Sequence, residues 1–338
     1  MSFLILLCLF SKEMFSQESS IKNLVFEGAG IRGLAYSGVI NELEKKGIIK
    51  NIENVAGTSA GAITAMMLSI GYSSQEISEI ISTTKFQKFN DGRFFFIGGM
   101  FRVKNSYGWY RGDSFSKWIE KLIINKTGNG DMTFNDLNKN GYKNLFVTGT
   151  CLNKQKLIIF SHTTYPDMKI KDAVRISMSI PLYYKAVLID SVGKVYKKPK
   201  QLTNLDIVVD GGIVGNYPIF IFDQFLTDSL NNSIRIPNPE TVGIRIDSEL
   251  QIRNDSLSKE LVPINIDGFN DYISAFYIFI IENLNRPQLI KDDWQRTISV
   301  SSVEISPRVK RLSKSQKQSL INSGITSTSK YLKQNHKH

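Results

Sequence analysis

Short, wholly apolar runs alternate with longer stretches of helical period along most of this chain. Leu24-Val25-Phe26 has no polar position, as expected of a strand buried on both faces of a parallel sheet. Leu34 to Lys46 then reads as a helix stopped by Gly47. Val55-Ala56 opens a second apolar run. Beyond it Ile63, Met66, Met67 and Ile70 recur at i, i+3, i+4 and i+7, which predicts a helix with one buried face. Tyr72 to Thr84, Asp113 to Ile124 and Thr133 to Leu137 read as further helices. Asn144 to Leu152 and Lys156 to Phe160 read as strands joined by the polar turn Asn153-Lys154-Gln155. A helix from Lys171 is ended by Pro181, and Leu205 to Val209 is the next buried strand. A helix over Ile219 to Leu226, a strand over Val242 to Ile246 and an apolar helix over Phe269 to Leu284 complete the pattern. On that last helix Ile273, Phe276, Tyr277, Ile280, Ile281 and Leu284 share a face, which suits a core or groove-lining role. Phe86 to Tyr110, dense in aromatics and glycine, has no period and reads as a long loop or lid, or as packing beneath one.

Composition narrows the class. The 338 residues are 42% hydrophobic and 22% charged, the balance of a folded globular chain. No stretch reaches the roughly 18 apolar residues of a membrane span. Cys8 and Cys151 stand far apart and form neither a disulfide framework nor a zinc-ligand spacing. The run Phe3 to Phe10, followed by Ser11 to Gln17, resembles a shortened secretory leader over residues 1–20, with a retained hydrophobic segment as the alternative. On that reading the protein is exported or membrane-associated rather than cytoplasmic. The net charge is +11, and residues 286–338 hold eleven Lys and Arg against three acids. Such a basic tail suits an anionic lipid surface or simply a solvated face. Zinc, heptad and RNP-type signatures are absent from it, which argues against nucleic acid.

The chemistry concentrates in three places. Gly57-Thr58-Ser59-Ala60-Gly61, between apolar run and helix, has the form of a nucleophile elbow, a turn too tight for side chains at its flanks. Ser59 stands at its tip, above a helix N-terminus that favours developing negative charge. Gly28-Ala29-Gly30-Ile31-Arg32-Gly33 follows the first apolar run. Its glycines let backbone N–H groups converge, and Arg32 adds positive charge, as an oxyanion loop requires. The same Gly-x-Gly-x-x-Gly also fits a dinucleotide turn, which needs an acid about 20 residues on at the end of a second strand. Glu53 has that offset but precedes its strand. The third place is Asp210-Gly211-Gly212, delivered by the run Leu205 to Val209.

A serine nucleophile needs a base, ordinarily histidine. His336 and His338 fall in the last three residues, and His162 has no acid near it in sequence to orient it. Elimination leaves Asp210. A free aspartate, with a pKa near 3.9, is a weak base, so partial burial must raise its proton affinity.

These three motifs, in this order, resemble the patatin-like phospholipases. Ala173-Val174-Arg175-Ile176-Ser177-Met178-Ser179-Ile180-Pro181 also looks like that family's helix before its aspartate. The likeness runs from Leu24 to about Pro218, with Ala29 standing where many members carry a third glycine. It implies a three-layer α/β/α fold with a mostly parallel sheet. It also implies hydrolysis of lipid acyl esters without metal or cofactor, through Ser59 as nucleophile and Asp210 as base. The expected organisation is a leader over 1–20, a catalytic domain over 21–225 and a C-terminal extension with the basic tail over 226–338. The competing readings are a dinucleotide-binding oxidoreductase built on Gly28 to Gly33, and a catalytically silent lipid-binding protein.

Overall fold

A computed structural model of the chain describes residues 21–92, 95–197, 204–227, 233–257, 260–307 and 311–335. The apolar leader, His336 and His338 lie outside the described residues.

Wholly apolar segments can be strands only where both faces are covered, and the structure covers them. The strands are β1 (Asn23–Phe26), β2 (Asn54–Gly57), β3 (Gly108–Tyr110), β4 (Asn144–Cys151), β5 (Lys156–Phe160), β6 (Leu182–Tyr184), β7 (Val187–Ile189), β8 (Val195–Tyr196) and β9 (Asp206–Asp210). A hairpin of β10 (Gln224–Thr227) and β11 (Ser233–Ile236), then β12 (Thr241–Asp247) and β13 (Thr297–Ser301), follow. Nine of them form one sheet in the order β13-β12-β1-β2-β4-β9-β7-β8, with β5 also on β4. From β13 to β4 every pairing is parallel. Helices flank the sheet.

The switch at β4 positions the site. β2 pairs with Asn144 to Val147, the first half of β4. β5 takes one edge of β4 from Val147 to Cys151. The edge that β2 vacates is filled by β9, running the opposite way, with Asp210 opposite Gly149. The rising strand β2 and the descending strand β9 therefore meet end to end. Ser59 follows one, and Asp210 closes the other.

Beyond residue 225 the chain adds β12 and β13 to this same sheet, while β10 and β11 pair apart from it. The helix Lys314–Asn335 packs across the helix Ala35–Lys45 at a very close crossing. A Cβ on Gly38 would stand 2.0 Å from the Ile321 carbonyl, and one on Gly324 2.2 Å from that of Ala35. Ser329 Oγ donates to Glu42 Oε1 across it at 2.7 Å.

Four readings from periodicity change. The helix after the elbow, Ala60–Ser69, is buried on every side rather than along one stripe. Phe86 to Tyr110 is mostly ordered: a 3₁₀ turn (Phe86–Phe89), a helix (Phe95–Ser106) and β3. Phe86 and Phe89 pack edge-on against Phe115 and Trp118, so this part is packing. The helix is pinned by Arg102 Nε donating to the Trp109 carbonyl at 2.6 Å. Ile219 to Leu226 is a 3₁₀ turn (Ile219–Phe222) and strand β10, not one helix. Finally, of the two roles read for Phe269–Asn285 the core role is dropped and the groove-lining role left, since Ile273, Phe276 and Leu284 are about half exposed.

Candidate active site

Gly28 and Ser59 stand just beyond the carboxyl ends of β1 and β2, where open α/β sheets place their sites, and Asp210 is the last residue of β9. Ser59 adopts φ 52° and ψ −120°, a strained backbone that a non-glycine residue keeps only when its surroundings enforce it. Its amide donates to Ser177 Oγ at 2.9 Å, and its hydroxyl to Met178 Sδ at 3.3 Å. The flanking glycines of the elbow are required by contact. A Cβ on Gly57 would lie 2.4 Å from the Gly61 carbonyl, and one on Gly61 2.3 Å from that of Phe26. Thr58 turns inward and bonds Thr148 Oγ1 at 2.6 Å and the Gly215 carbonyl at 2.7 Å.

Asp210 is 1% exposed. Its amide donates to the Ser179 carbonyl at 3.0 Å, and its Oδ1 accepts the Gly212 N–H at 2.7 Å. Oδ2 is buried and has no hydrogen-bond partner among the described residues. Burial pushes its pKa up to about 7; the Gly212 amide and the nearby Ser59 hydroxyl relieve part of that cost. Tyr277 and Ile281, on the helix Phe269–Asn285, cover this corner. Burial and the charge of Asp210 together hold the Tyr277 phenol well above its ordinary range.

In the glycine loop, Gly30 has φ +56°, and a Cβ there would stand 2.1 Å from the Pro307 carbonyl. That carbonyl accepts the Ile31 N–H at 3.2 Å, and the Arg32 N–H goes to the Ala29 carbonyl at 3.2 Å. Arg32 Nε caps the same Ala29 carbonyl. Among the described residues the amides of Ala29, Gly30 and Ala60 make no hydrogen bond, so these three N–H groups are free to meet an anion.

The loop is anchored from below by Glu27, whose Oε2 accepts the Ile246 N–H and whose Oε1 lies 3.4 Å from Arg245 Nε. Burial pushes the Glu27 carboxyl up to about 8 against the pull of Arg245. Arg245 also pairs with Asp247 and Asp255, each at 2.6 Å, and Arg286 joins Asp255 and Glu282.

His162 packs edge-on against Phe146, and its Nδ1 is buried without a partner. It has no hydrogen bond to Ser59 or Asp210 among the described residues. Glu53 is exposed just before β2, at the opposite end of that strand from Gly28. The acid a dinucleotide turn requires is therefore missing from where it would be needed. Ser177 and Met178 enter the sequence reading only as part of the stretch Ala173 to Pro181, and Asn216 and Asn285 carry no role in it. Asn216 had only its place after the Asp-Gly-Gly block as a signal, and Asn285 had none.

The arrangement defines an α/β protein in which a glycine loop, an elbow serine and a buried aspartate converge at one sheet edge. The chain belongs to the patatin-like phospholipase family, whose model matches residues 24–223. A protein of Acanthamoeba polyphaga mimivirus is 31% identical over 312 residues, 92% of this chain and 93% of its own. The cGAMP-activated phospholipase of Vibrio cholerae is 23% identical over 295 residues, 81% of this chain and 78% of its own. Among solved structures, VipD of Legionella pneumophila superposes with a TM-score of 0.55 at 18% identity, covering 94% of this chain and 67% of that one, and so shares the fold.

Proposed function

We propose that this protein hydrolyses lipid acyl esters through a Ser59–Asp210 dyad. The observation that carries the reading is the unpartnered, buried Oδ2 of Asp210 at the corner where the strained Ser59 is presented. A carboxylate with a pKa near 7 is matched to taking and returning a proton at neutral pH. When substrate enters, the Ser59 hydroxyl turns from Met178 to Asp210, gives up its proton and attacks the ester carbonyl. The oxyanion is met by the amides of Ala29, Gly30 and Ala60 at the N-terminus of the helix Ala60–Ser69. Collapse expels the alcohol, which recovers the proton from Asp210. Water, deprotonated by Asp210 in turn, then attacks acyl-Ser59, and on collapse Asp210 returns that proton to Ser59 Oγ as the acid leaves.

Lipid as the acyl donor rests on the family, and the basic tail suits anionic vesicles. The test is turnover of a p-nitrophenyl ester and of phosphatidylcholine and phosphatidylglycerol vesicles by wild type and Ser59→Ala. The variant should fold and show no turnover. Activity near wild type in folded Ser59→Ala would remove Ser59 as nucleophile.

A further inference from the structure

The helix Phe269–Asn285 lies beyond the segment that matches the family model, yet its last residue reaches the centre of the site. Asn285 is buried, and its carboxamide is spent on the turn that follows Asp210. Nδ2 donates to the Gly212 carbonyl at 3.1 Å and the Ile213 carbonyl at 3.2 Å, and it also donates to the Ile281 carbonyl of its own helix at 2.7 Å. Oδ1 accepts the Asn216 N–H at 2.5 Å. Asn216 then grips the oxyanion loop twice: its Nδ2 donates to the Gly28 carbonyl at 3.2 Å, and its own carbonyl accepts the Gly28 N–H at 3.0 Å.

Two chains of contact therefore start from one side chain. One runs through Gly212, whose N–H holds Oδ1 of Asp210. The other runs through Asn216 to the loop that begins at Gly28. The helix end that carries Asn285 is itself fixed, because Glu282 and Arg286 tie it to the buried cluster around Arg245 and Asp255. Only a carboxamide of this length offers acceptor and donors together: aspartate keeps the acceptor and loses the donors, and alanine loses both.

We infer that Asn285 is a positioning residue for the proposed reaction, aiming the Asp210 carboxylate and seating the oxyanion loop at once. The inference rests on the dyad reading, and the two fail separately. Asn285→Asp and Asn285→Ala are compared with wild type and Ser59→Ala on a soluble p-nitrophenyl ester across pH, with folded protein quantified by circular dichroism and gel filtration. Misplacing a catalytic group by about 1 Å costs up to ~10²-fold, so kcat per folded molecule should fall about 10- to 100-fold in both variants. KM for this small ester should move less than about threefold, since uniform binding is untouched. In Asn285→Ala the loosened turn also admits water to Asp210, so the acid limb of kcat should shift downward by about half a unit or more, whereas the added carboxylate of Asn285→Asp pushes the limb the other way.

A purely structural role would lower the folded fraction and leave kcat per folded molecule and the acid limb where they were. That result overturns the inference, as does failure of both variants to fold. An inactive Ser59→Ala beside fully active Asn285 variants sinks the role of Asn285 alone. An active Ser59→Ala sinks the dyad reading beneath it.

Discussion

Asp210→Asn should abolish turnover and, above neutral pH, make the protein more stable. The carboxyl of Asp210 has a pKa of about 7 in the fold against an ordinary 3.8, with burial as the main cause. A carboxyl raised in this way holds its proton in the folded state at pH values where the unfolded chain has lost it. Wild-type stability is therefore undiminished by this group below the ordinary carboxylate range. It falls as pH rises, and the loss is complete once pH passes about 7. Between pH 5 and pH 9 the change spans about two pKa units, or ~3 kcal/mol at ~1.4 kcal/mol per unit. Asparagine keeps the acceptor for the Gly212 N–H and carries no charge, so its stability lacks this slope. Thermal unfolding of the two proteins at pH 5 and pH 9 isolates the effect, because the raised carboxyl of Glu27 titrates in both and cancels. The Tm advantage of Asp210→Asn should be larger at pH 9 by about 4 °C. Parallel profiles would show that Asp210 is not held against its charge, and the base would have to be sought elsewhere.

Gly30→Val should drop kcat ~10²- to 10³-fold, the cost of one oxyanion donor at ~3–4 kcal/mol, because the Cβ meets the Pro307 carbonyl and the positive φ is strained. A rise in KM alone, measured by initial rates, would make the loop a binding feature instead. His162→Ala should leave kcat within about threefold of wild type, since the imidazole faces Phe146 and, among the described residues, has no hydrogen bond to Ser59 or Asp210. A collapse of kcat in the folded variant would restore the triad.

The motifs were legible because each is local. A strand, a glycine turn and a helix start lie within one contiguous stretch at Leu24 to Gly33, and again at Val55 to Ile70, so the pattern carries its own context. Asp210 was legible by elimination, since the chain has only three histidines. What sequence could not convey is that β9 runs against β4. The approach of Asp210 to Ser59 from above depends on which edge β2 leaves open, and that is a property of the whole sheet. The aromatic segment resisted reading for a different reason. Its helix Phe95–Ser106 shows little apolar periodicity and is held by Arg102 and Trp109, a contact that overrides weak local preference. Asn285 lies 69 positions from the amide it holds, and a single polar residue at a helix end carries no period to reveal it.

The contact between Gly30 and Pro307 has a consequence for the order of synthesis. A ribosome adding ~5–20 residues per second takes from about a quarter of a minute to a minute between these two positions. By the time Asp210 has been made, about two-thirds of that interval has passed and the elbow is in place, yet the glycine loop still has no carbonyl to receive the Ile31 N–H. The strands β12 and β13 and the helix across Gly38 are also still to come. The proposed oxyanion site is thus finished only after Pro307 has been made, later than the elbow and the aspartate. A nascent chain that carries the elbow and the aspartate but not yet Pro307 therefore lacks the seat of its glycine loop.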